Sequence, residues 1–520
     1  MNRNDEKLIS IMDTTLRDGE QTPGIAYTPS EKLHMARMLL TDVEVDRIEI
    51  ASARVSQGEL EAAVRVTDWA SEAGLIDRVE MLGFCDGERS VDWIQRAGGQ
   101  VLNLLAKGSE QHCRQQLGVS PEDHIQRIIE TVSYAHEQEV RINLYLEDWS
   151  NGARDSFGYV SSIMDAVQDL GIGRILLADT LGVLSPDEVL RLVSVMTVTW
   201  PDITFDFHGH NDYGFATANS MAAIQSGACG IHTSVNGLGE RAGNTSLAEI
   251  VAAIADHTSC KTKINESRLA AISSLVETFS GKNIAENTPI LGSDVFTQTA
   301  GIHADGDAKG DLYETRLAPG RFGRERRYAL GKLSGKASLD HNLEKLGVNL
   351  SEENRDKVLG RIIELGDKKH NVVPEDLLMI IADVLKTPSE HVVKIDQYAI
   401  NVASDKPPTA TVTVSFKGRS AVATGTGDGG YDAFMSALKE AVTQHGIKVP
   451  QLADYRVRIP PGGRTEALVE TLIRWGDAEE GATFSTIGVD SDQTSAAIIA
   501  TEKMLNIVAH EEARTKRTNS

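Results

Sequence analysis

The 520-residue sequence has few cysteines, no long apolar run and a shortage of positive charge. Its four cysteines, Cys85, Cys113, Cys229 and Cys260, are far apart, which argues against a disulfide framework or a thiolate zinc site. No apolar run approaches the roughly 18 residues needed to span a bilayer, and residues 1–7 lead into no signal-type segment. We therefore expect a cytoplasmic protein that has no membrane partner.

The shortage of basic residues also limits the partners. Lys and Arg number 52 against 75 Asp and Glu, which gives a formal net charge of −23 at pH 7. This charge argues against a nucleic-acid partner, because phosphate contacts need a basic face. An anionic ligand must therefore meet a local basic patch. The composition is otherwise ordinary for a globular protein, and the length predicts two or three domains.

Eight short β-rich runs alternate with helical stretches in the first 240 residues. Helical stretches such as 29–40 and 121–138 begin behind Ser, Asp or Pro start signals. Eight βα repeats predict an α/β fold, a (β/α)8 TIM barrel, whose active site would lie at the carboxyl ends of the strands. The runs are 8–15, 47–52, 78–84, 101–107, 141–148, 174–180, 206–212 and 230–236.

Polar residues gather at these predicted carboxyl ends. His208 and His210 are two residues apart on one strand, so both imidazoles point to the same face. Such a pair alone is more often two surface or hydrogen-bonded histidines than a metal site. A Lewis-acid metal usually takes three protein ligands and leaves one position open. Asp18, just after the first strand, is the candidate third ligand, and the barrel would bring it to the same mouth.

A glycine-rich segment at 236–244 follows the eighth run. Its glycine spacing misses the dinucleotide fingerprint by one residue and does not follow the first strand of a βαβ unit, so it argues against NAD. Two interpretations remain open. The segment is either a flexible turn or a loop that brings Asn244 to the metal and backbone N–H groups to a ligand.

Two segments resemble the paired signatures of the 2-isopropylmalate, homocitrate and citramalate synthase family. The first is LRDGEQ at 16–21, followed after ten residues by Lys32, and the second is FDFHGHNDYG at 205–214. Further segments resemble the citramalate-forming members most, and together they extend the resemblance over nearly the whole chain. These segments are 45–54, 145–152, 294–305 and 427–434.

The resemblance implies an acyltransferase that condenses acetyl-CoA with a 2-keto acid and then hydrolyses the thioester. It implies that Asp18, His208 and His210 hold a divalent ion, with Asn244 at or near its shell. Zinc, manganese and magnesium all remain open as the metal. Arg17 would give a second positive charge to the ketone oxygen.

The resemblance also implies that Glu147 is the base acting on acetyl-CoA, with His303 as its partner. Two alternatives remain: Glu147 could orient a neighbouring group, and His303 could be structural. Leu82, Leu105, Tyr145 and Thr180 would surround the keto acid. Because the first three are bulky, we expect pyruvate as the acceptor, with 2-ketoisovalerate as the alternative.

A basic cluster follows the predicted barrel. Between residues 316 and 336 there are seven Lys and Arg residues against a single acid, Glu325. The cluster is either a solvated or subunit-contacting surface, or a patch that attracts the CoA phosphates. By resemblance, Tyr313 is expected on the CoA side of the active site.

Three domains are expected. Residues 1–325 would form the catalytic barrel with an extension, 326–390 small helical linker subdomains, and 391–510 a C-terminal α+β domain. In that last domain strict alternation, as at 409–416, predicts strands. Two strand–strand–helix units, with helices at 432–444 and 492–506, look like copies of each other.

In the family, this last domain senses an amino acid. The resemblance implies feedback inhibition by isoleucine and a homodimer. The alternative is that these residues only pack a core and cap a helix. The expected ligand pocket comprises Tyr431, Asp432, Leu452, Tyr455, Ile459, Val469 and Gln493.

The sequence is compatible with three functions. The first is citramalate synthase, with 2-isopropylmalate synthase as its closest alternative. The second is a metal-dependent C–C lyase of the same superfamily, against which the long C-terminal domain argues. The third is a non-catalytic amino-acid-binding protein on a decayed barrel, against which the intact set of Arg17, Asp18, Glu147, His208 and His210 argues.

Overall fold

The computed structural model divides the chain into two compact units. One comprises Met1–Phe296 and Glu314–Arg326, and the other Thr297–Tyr313 and Arg327–Ser520. His303, Tyr313 and Ile459 lie outside the described residues, so the predictions made for them stay predictions. The structure describes residues 7–298, 315–346, 348–367, 372, 376–377, 380–381, 384, 392–458, 469–476 and 484–518.

The first unit is a closed barrel of eight parallel strands in sequential order, with the last strand paired to the first. The predicted TIM barrel is confirmed, and most predicted runs exceed the observed strands by one to three residues at an end. The strands are β1 Ser10–Asp13, β2 Arg47–Ser52, β3 Val79–Phe84, β4 Val101–Lys107, β5 Arg141–Glu147, β6 Ile175–Asp179, β7 Phe205–Gly209 and β8 Gly230–Thr233.

Several barrel helices start with the same device, a hydroxyl residue followed by proline. Thr28 accepts from the backbone N–H of Glu31, and Glu31 accepts from that of Thr28, so the two residues form a capping box. Ser120 caps its helix through the backbone N–H of Asp123. Helices in this unit are Pro29–Thr41, Gln57–Glu72, Glu88–Arg96, Pro121–Glu137, Trp149–Asp155, Phe157–Val167, Pro186–Thr199, Ala216–Gln225, Leu247–His257 and Leu269–Ser280.

The barrel interior holds several charged side chains beside a small apolar cluster, whereas the layer between strands and helices is apolar. Outward-facing strand residues such as Ile48, Leu104 and Phe207 pack against the helices. Inside, Arg47 donates to Glu80 at 2.9 Å and to Asp206 at 2.5 Å. Removing one partner of such a buried ion pair typically costs about 3–5 kcal/mol. The interior therefore holds charged side chains whose positions are tightly specified.

The second unit begins with the two-residue strands β9 Thr297–Gln298 and β10 Arg327–Tyr328, which pair with each other. Helices Lys336–Lys345 and Glu352–Asp367 follow. They share a small apolar core of their own, which agrees with the predicted helical character of the linker. This core includes Leu330, Leu339, Leu343, Val358, Ile362 and Val372.

The C-terminal domain contains two antiparallel three-stranded sheets, each followed by a helix. Each half has one strand more than the sequence pattern indicated, because the exposed outer strand of each sheet lacks a clear apolar alternation. Both halves contribute to one core. The elements are β11 Val393–Ala403, β12 Lys406–Phe416, β13 Arg419–Thr426, helix Gly430–Thr443, β14 Leu452–Arg458, β15 Val469–Trp475, β16 Phe484–Asp490 and helix Gln493–Thr518.

Among the residues that the structure describes, no helix combines the length and apolar character that a bilayer crossing requires.

Candidate active site

Asp18, His208 and His210 come together at the carboxyl ends of β1 and β7. All three are buried, and their ligand atoms lie within 4.8 Å of one another. The Nε2 atom of His208 is 3.1 Å from Asp18 Oδ2 and 3.3 Å from His210 Nε2. Neither oxygen of Asp18 has a well-directed hydrogen-bond donor among the described residues. Two facing imidazole nitrogens and an unsatisfied carboxylate fit a divalent cation.

The electrostatics of this cluster favour metal binding. Burial, reinforced by the neighbouring His208, lowers the pKa of His210 from 6.5 to about 4. Burial by itself would raise the pKa of Asp18, but the charge of Arg17 and the contact with His208 outweigh it and hold this pKa below its usual range. At neutral pH His210 is therefore neutral and Asp18 ionised, as metal ligands must be.

Asn244 lies beside this cluster, joined to His210 by an isolated antiparallel β-bridge. Its amide is buried and makes no hydrogen bond within the described residues. The glycine-rich loop passes very close to it, because a Cβ added to Gly239 would lie 2.9 Å from Asn244 Cγ. Thr22 pins Gly239 through both backbone groups, at 2.9 and 3.0 Å. The loop is thus packed closely onto the cluster.

Arg17 is held beside Asp18 by groups from three strands. Its Nε donates to Glu49 at 2.5 Å, and its Nη2 donates to the Tyr145 hydroxyl at 3.4 Å. Glu49 is itself fixed by Asn103, whose Nδ2 donates to its other oxygen at 2.7 Å. The Nη1 atom faces Asp18 at 3.5 Å. The Arg17 guanidinium is therefore held in one orientation beside Asp18.

Leu82, Leu105 and Tyr145, expected to surround the keto acid, belong to one cluster inside the barrel. The Tyr145 ring stands edge-on to His208, with centroids 5.7 Å apart. It is only 2% exposed. The structure therefore brings these three side chains together, and Tyr145 connects them to His208. The other members of the cluster are Met12, Leu176 and Ala178.

Glu147 and Thr180 lie at the same mouth, at the ends of β5 and β6. Glu147 forms an ion pair with Lys107 at the end of β4. Thr180 Oγ1 accepts from the backbone N–H of Asp148 at 2.8 Å. Arg241 donates to the Thr180 carbonyl at 2.7 Å and also pairs with Asp212. Thr180 is thus held in place from two sides.

Much of the basic cluster is engaged in the structure. Arg321 forms ion pairs with Asp256 and Glu266, and Arg324 donates to the carbonyls of residues 290–292. In the second unit, Lys336 pairs with Asp356. Arg321 and Arg324 are therefore engaged within the first unit, a role that neither interpretation of the cluster included, and they leave less charge for the CoA phosphates.

In the C-terminal domain, three of the predicted effector residues meet. The Tyr431 and Tyr455 rings lie 5.3 Å apart, and the Tyr431 hydroxyl is 2.6 Å from Thr501 Oγ1. Burial raises the pKa of Tyr455, and a hydrogen bond from Gln493 partly offsets this rise. The two tyrosines and Gln493 therefore lie side by side in this domain.

The remaining predicted effector residues are placed differently. Asp432 accepts from the backbone N–H of Asp428 at 3.0 Å, so its side chain shapes the turn that starts a helix. Leu452 is 43% exposed, and Val469 lies opposite Asp490 at the start of β15. For Asp432 the structure thus shows a contact of the kind expected from helix capping.

At the barrel mouth, several residues that the sequence patterns did not single out contact the predicted site residues. Those that lie on strands share one signal, which is a polar side chain at every second position of an otherwise apolar strand, as in Arg47/Glu49 and Asp206/His208, whereas Arg241 lies in the glycine-rich loop after β8. Such alternation in a strand whose other face is buried indicates a polar barrel interior. The residues are Glu49, Asn103, Lys107, His232 and Arg241.

Comparison with known families agrees with this arrangement along the chain. The family described as HMGL-like matches residues 8–276, which include the whole barrel. The homocitrate synthase post-HMGL domain-like family matches residues 290–370. The LeuA allosteric (dimerisation) domain matches residues 371–509.

Relatives match over nearly the whole length. A putative (R)-citramalate synthase from Methanopyrus kandleri is 34% identical over 91% of this chain and 91% of its own. A probable 2-isopropylmalate synthase from the same organism is 35% identical over 96% of this chain and 98% of its own. An (R)-citramalate synthase from Methanocaldococcus jannaschii is 32% identical, covering 90% and 93%. The chain therefore belongs to the citramalate and 2-isopropylmalate synthase family of acyltransferases.

Proposed function

We propose that the chain is an (R)-citramalate synthase. It joins the methyl carbon of acetyl-CoA to the ketone carbon of pyruvate and then hydrolyses the thioester, releasing CoA and citramalate. The observation that carries this proposal is the convergence of the Asp18, His208 and His210 cluster, Arg17 and a bulky apolar wall on one barrel mouth. The relatives named citramalate synthase support it.

Asp18, His208 and His210 would hold the divalent ion, with Asn244 beside them. When bound, this ion supplies Lewis-acid polarisation of the ketone. Arg17 contributes a permanent positive charge next to the same oxygen, which gains negative charge as the new C–C bond forms. Its contacts with Glu49 and Tyr145 fix that charge in advance, so little reorganisation is needed during the reaction.

Glu147 is the proposed base. It takes a proton from the acetyl methyl group, the methyl carbon bonds to the ketone carbon, and the ketone oxygen receives the π electrons and then a proton. Water subsequently replaces the sulfur at the thioester carbon. Lys107, paired with Glu147, holds the carboxylate at the mouth. His303 remains the proposed partner of Glu147, and Tyr313 a proposed contact on the CoA side.

The choice of pyruvate rests on the wall formed by Leu82, Leu105 and Tyr145. These bulky side chains favour a methyl over an isopropyl substituent on the keto acid. Discrimination by a few methylene groups is typically about 1–3 kcal/mol. 2-Ketoisovalerate is the competing acceptor, because a 2-isopropylmalate synthase is as similar to this chain as the citramalate synthases are.

Thiol release from acetyl-CoA with a panel of keto acids tests the proposal. We expect kcat/KM to be at least about tenfold higher with pyruvate than with 2-ketoisovalerate. A higher value with 2-ketoisovalerate would overturn the pyruvate assignment. Glu147→Gln should bind keto acid but lose condensation, whereas the exposed Glu61→Gln should match the parent. Near-normal turnover of Glu147→Gln would refute the base role.

The C-terminal domain is proposed to bind isoleucine and to mediate a homodimer. The Tyr431, Tyr455 and Gln493 cluster supports a ligand pocket, and the match to the LeuA allosteric (dimerisation) domain supports both roles. Isoleucine should inhibit citramalate formation, and leucine at the same concentration should do so less. No inhibition at saturating isoleucine would contradict the sensor role, and a monomer in analytical ultracentrifugation would contradict the dimer.

A further inference from the structure

Tyr145 is held by a buried series of polar contacts that the proposed reaction does not use. Its hydroxyl lies 2.9 Å from His232 Nδ1, and its ring is edge-on to the His232 ring at 5.5 Å. His232 lies on β8 and is 1% exposed. Its Nε2 faces Asp206 Oδ2 at 3.6 Å. Asp206 is anchored in turn by Arg47 and Arg174.

The chemistry of these groups assigns a direction to the two hydrogen bonds of the Tyr145 hydroxyl. Arg17 can only donate, so the Tyr145 oxygen accepts from it. Of the two tautomers of a neutral His232, the one with its proton on Nε2 directs that proton toward the Asp206 carboxylate. We therefore assign Nδ1 as the acceptor of the phenol proton of Tyr145. The series of polar contacts thus runs from Arg17 through Tyr145 and His232 to Asp206.

This arrangement has two consequences for the mouth. The hydroxyl proton of Tyr145 is committed to His232, so the phenol presents no free donor to a keto acid. The ring is held at the oxygen by two partners and on its edges by the rings of His208 and His232. A wall excludes a larger substituent only if it cannot move, and the hydrogen bond to His232 is what holds this one in place.

We propose that His232 is a positioning residue that determines substrate size by locking Tyr145 against the side chain of the keto acid. This inference rests on the proposed function and deepens it, since it names a residue outside the pocket wall that sets the wall's rigidity. Without an acceptor at position 232, the buried hydroxyl loses its partner and the ring moves to find another. That movement opens space for an ethyl or isopropyl group.

The test compares kcat/KM for pyruvate with that for 2-ketobutyrate, which is one methylene larger. In His232→Leu we expect the preference for pyruvate to fall about tenfold. His232→Asn keeps an acceptor near the Nδ1 position and should retain most of the preference. Tyr145→Phe should lower the preference for pyruvate by about as much as His232→Leu does. The double variant should lower it no further than either single substitution, because both changes remove the same hydrogen bond.

Two controls separate this role from a loss of folding or of metal. Thr67→Val removes a buried hydrogen bond to the Ala97 carbonyl in the outer layer and should leave the ratio of the two substrates unchanged. The centroid of the His232 ring also lies 5.5 Å from that of His208, so a substitution at position 232 must be shown to leave the metal site intact. In Mn²⁺ titration, the affinity of His232→Leu should be within about threefold of that of the parent.

The possible results separate a failure of the His232 role from a failure of the proposed synthase activity. If the parent enzyme releases CoA with pyruvate and His232→Leu lowers both substrates equally, the inference is refuted and the function stands. Additive effects in the double variant would also refute it. If the parent releases no CoA with any keto acid, the proposed function fails and the inference fails with it.

Discussion

Replacing Asp13 with asparagine should stabilise the barrel at neutral and alkaline pH. Asp13 ends β1 and is 1% exposed. Its Oδ1 accepts from the backbone N–H of Thr15 at 3.0 Å, whereas its Oδ2 has no partner among the described residues. Burial raises the pKa of this carboxyl from 3.8 to about 7, and the hydrogen bonds from Thr15 offset only part of the rise.

The size of the effect follows from this pKa. One pKa unit corresponds to about 1.36 kcal/mol, so a rise from 3.8 to about 7 is worth roughly 4 kcal/mol. The native state binds the proton more tightly than the unfolded state. The stability linked to Asp13 is therefore fully present below pH 3.8, falls as the pH rises to about 7, and changes little above that. Asparagine keeps the acceptor for Thr15 and does not titrate.

Denaturant unfolding between pH 5.5 and 8.5 measures this difference. A Trp475→Phe background restricts the fluorescence signal to the barrel, since the other four of the five tryptophans lie there. The advantage of Asp13→Asn should grow by about 2 kcal/mol between pH 5.5 and 7 and then level off. An advantage that is constant with pH, or that shrinks as pH rises, would refute the reasoning.

Three further predictions concern the sites. Asp18→Asn should weaken Mn²⁺ binding by more than the roughly 10–100-fold expected for losing a partner of a ligand, as calorimetry would show; unchanged affinity would contradict the cluster. Lys107→Met should lower kcat at least about tenfold while Lys107→Arg retains most of it, since only arginine can keep Glu147 paired; equal losses would contradict this. Tyr431→Ala should abolish inhibition by isoleucine and should leave the kcat measured without isoleucine unchanged.

The barrel could be predicted from the sequence because its signals are local. Start signals such as Thr28-Pro and Ser120-Pro appear in the chain itself, and short β-rich runs that alternate with helical stretches are typical of parallel strands. The additional strands of the C-terminal domain were missed because an exposed antiparallel strand, such as β11 with its mostly exposed residues, carries little apolar pattern.

In the candidate site, too, the features with a local sequence signal could be predicted and those without one could not. The spacing of His208 and His210 indicated that both face one side, and the barrel topology indicated that Asp18 could join them. The ion pair of Glu147 with Lys107 and the contact of Tyr145 with His232 join residues that are 40 and 87 positions apart. Nothing in the local sequence specifies such partners, because they depend on which side chains the closed barrel brings to one height.

The eight-stranded barrel, the convergence of possible metal ligands at its mouth and the separate C-terminal domain could all be inferred from the sequence. Strand and helix periodicity, capping residues and ligand spacing are properties of neighbouring positions. Which buried charges neutralise one another, and how Arg17 and Tyr145 are oriented, depends instead on the folded barrel. Those choices arise from the closure of β8 onto β1, which brings residues from opposite ends of the barrel sequence into a low-dielectric interior where every polar group requires a partner.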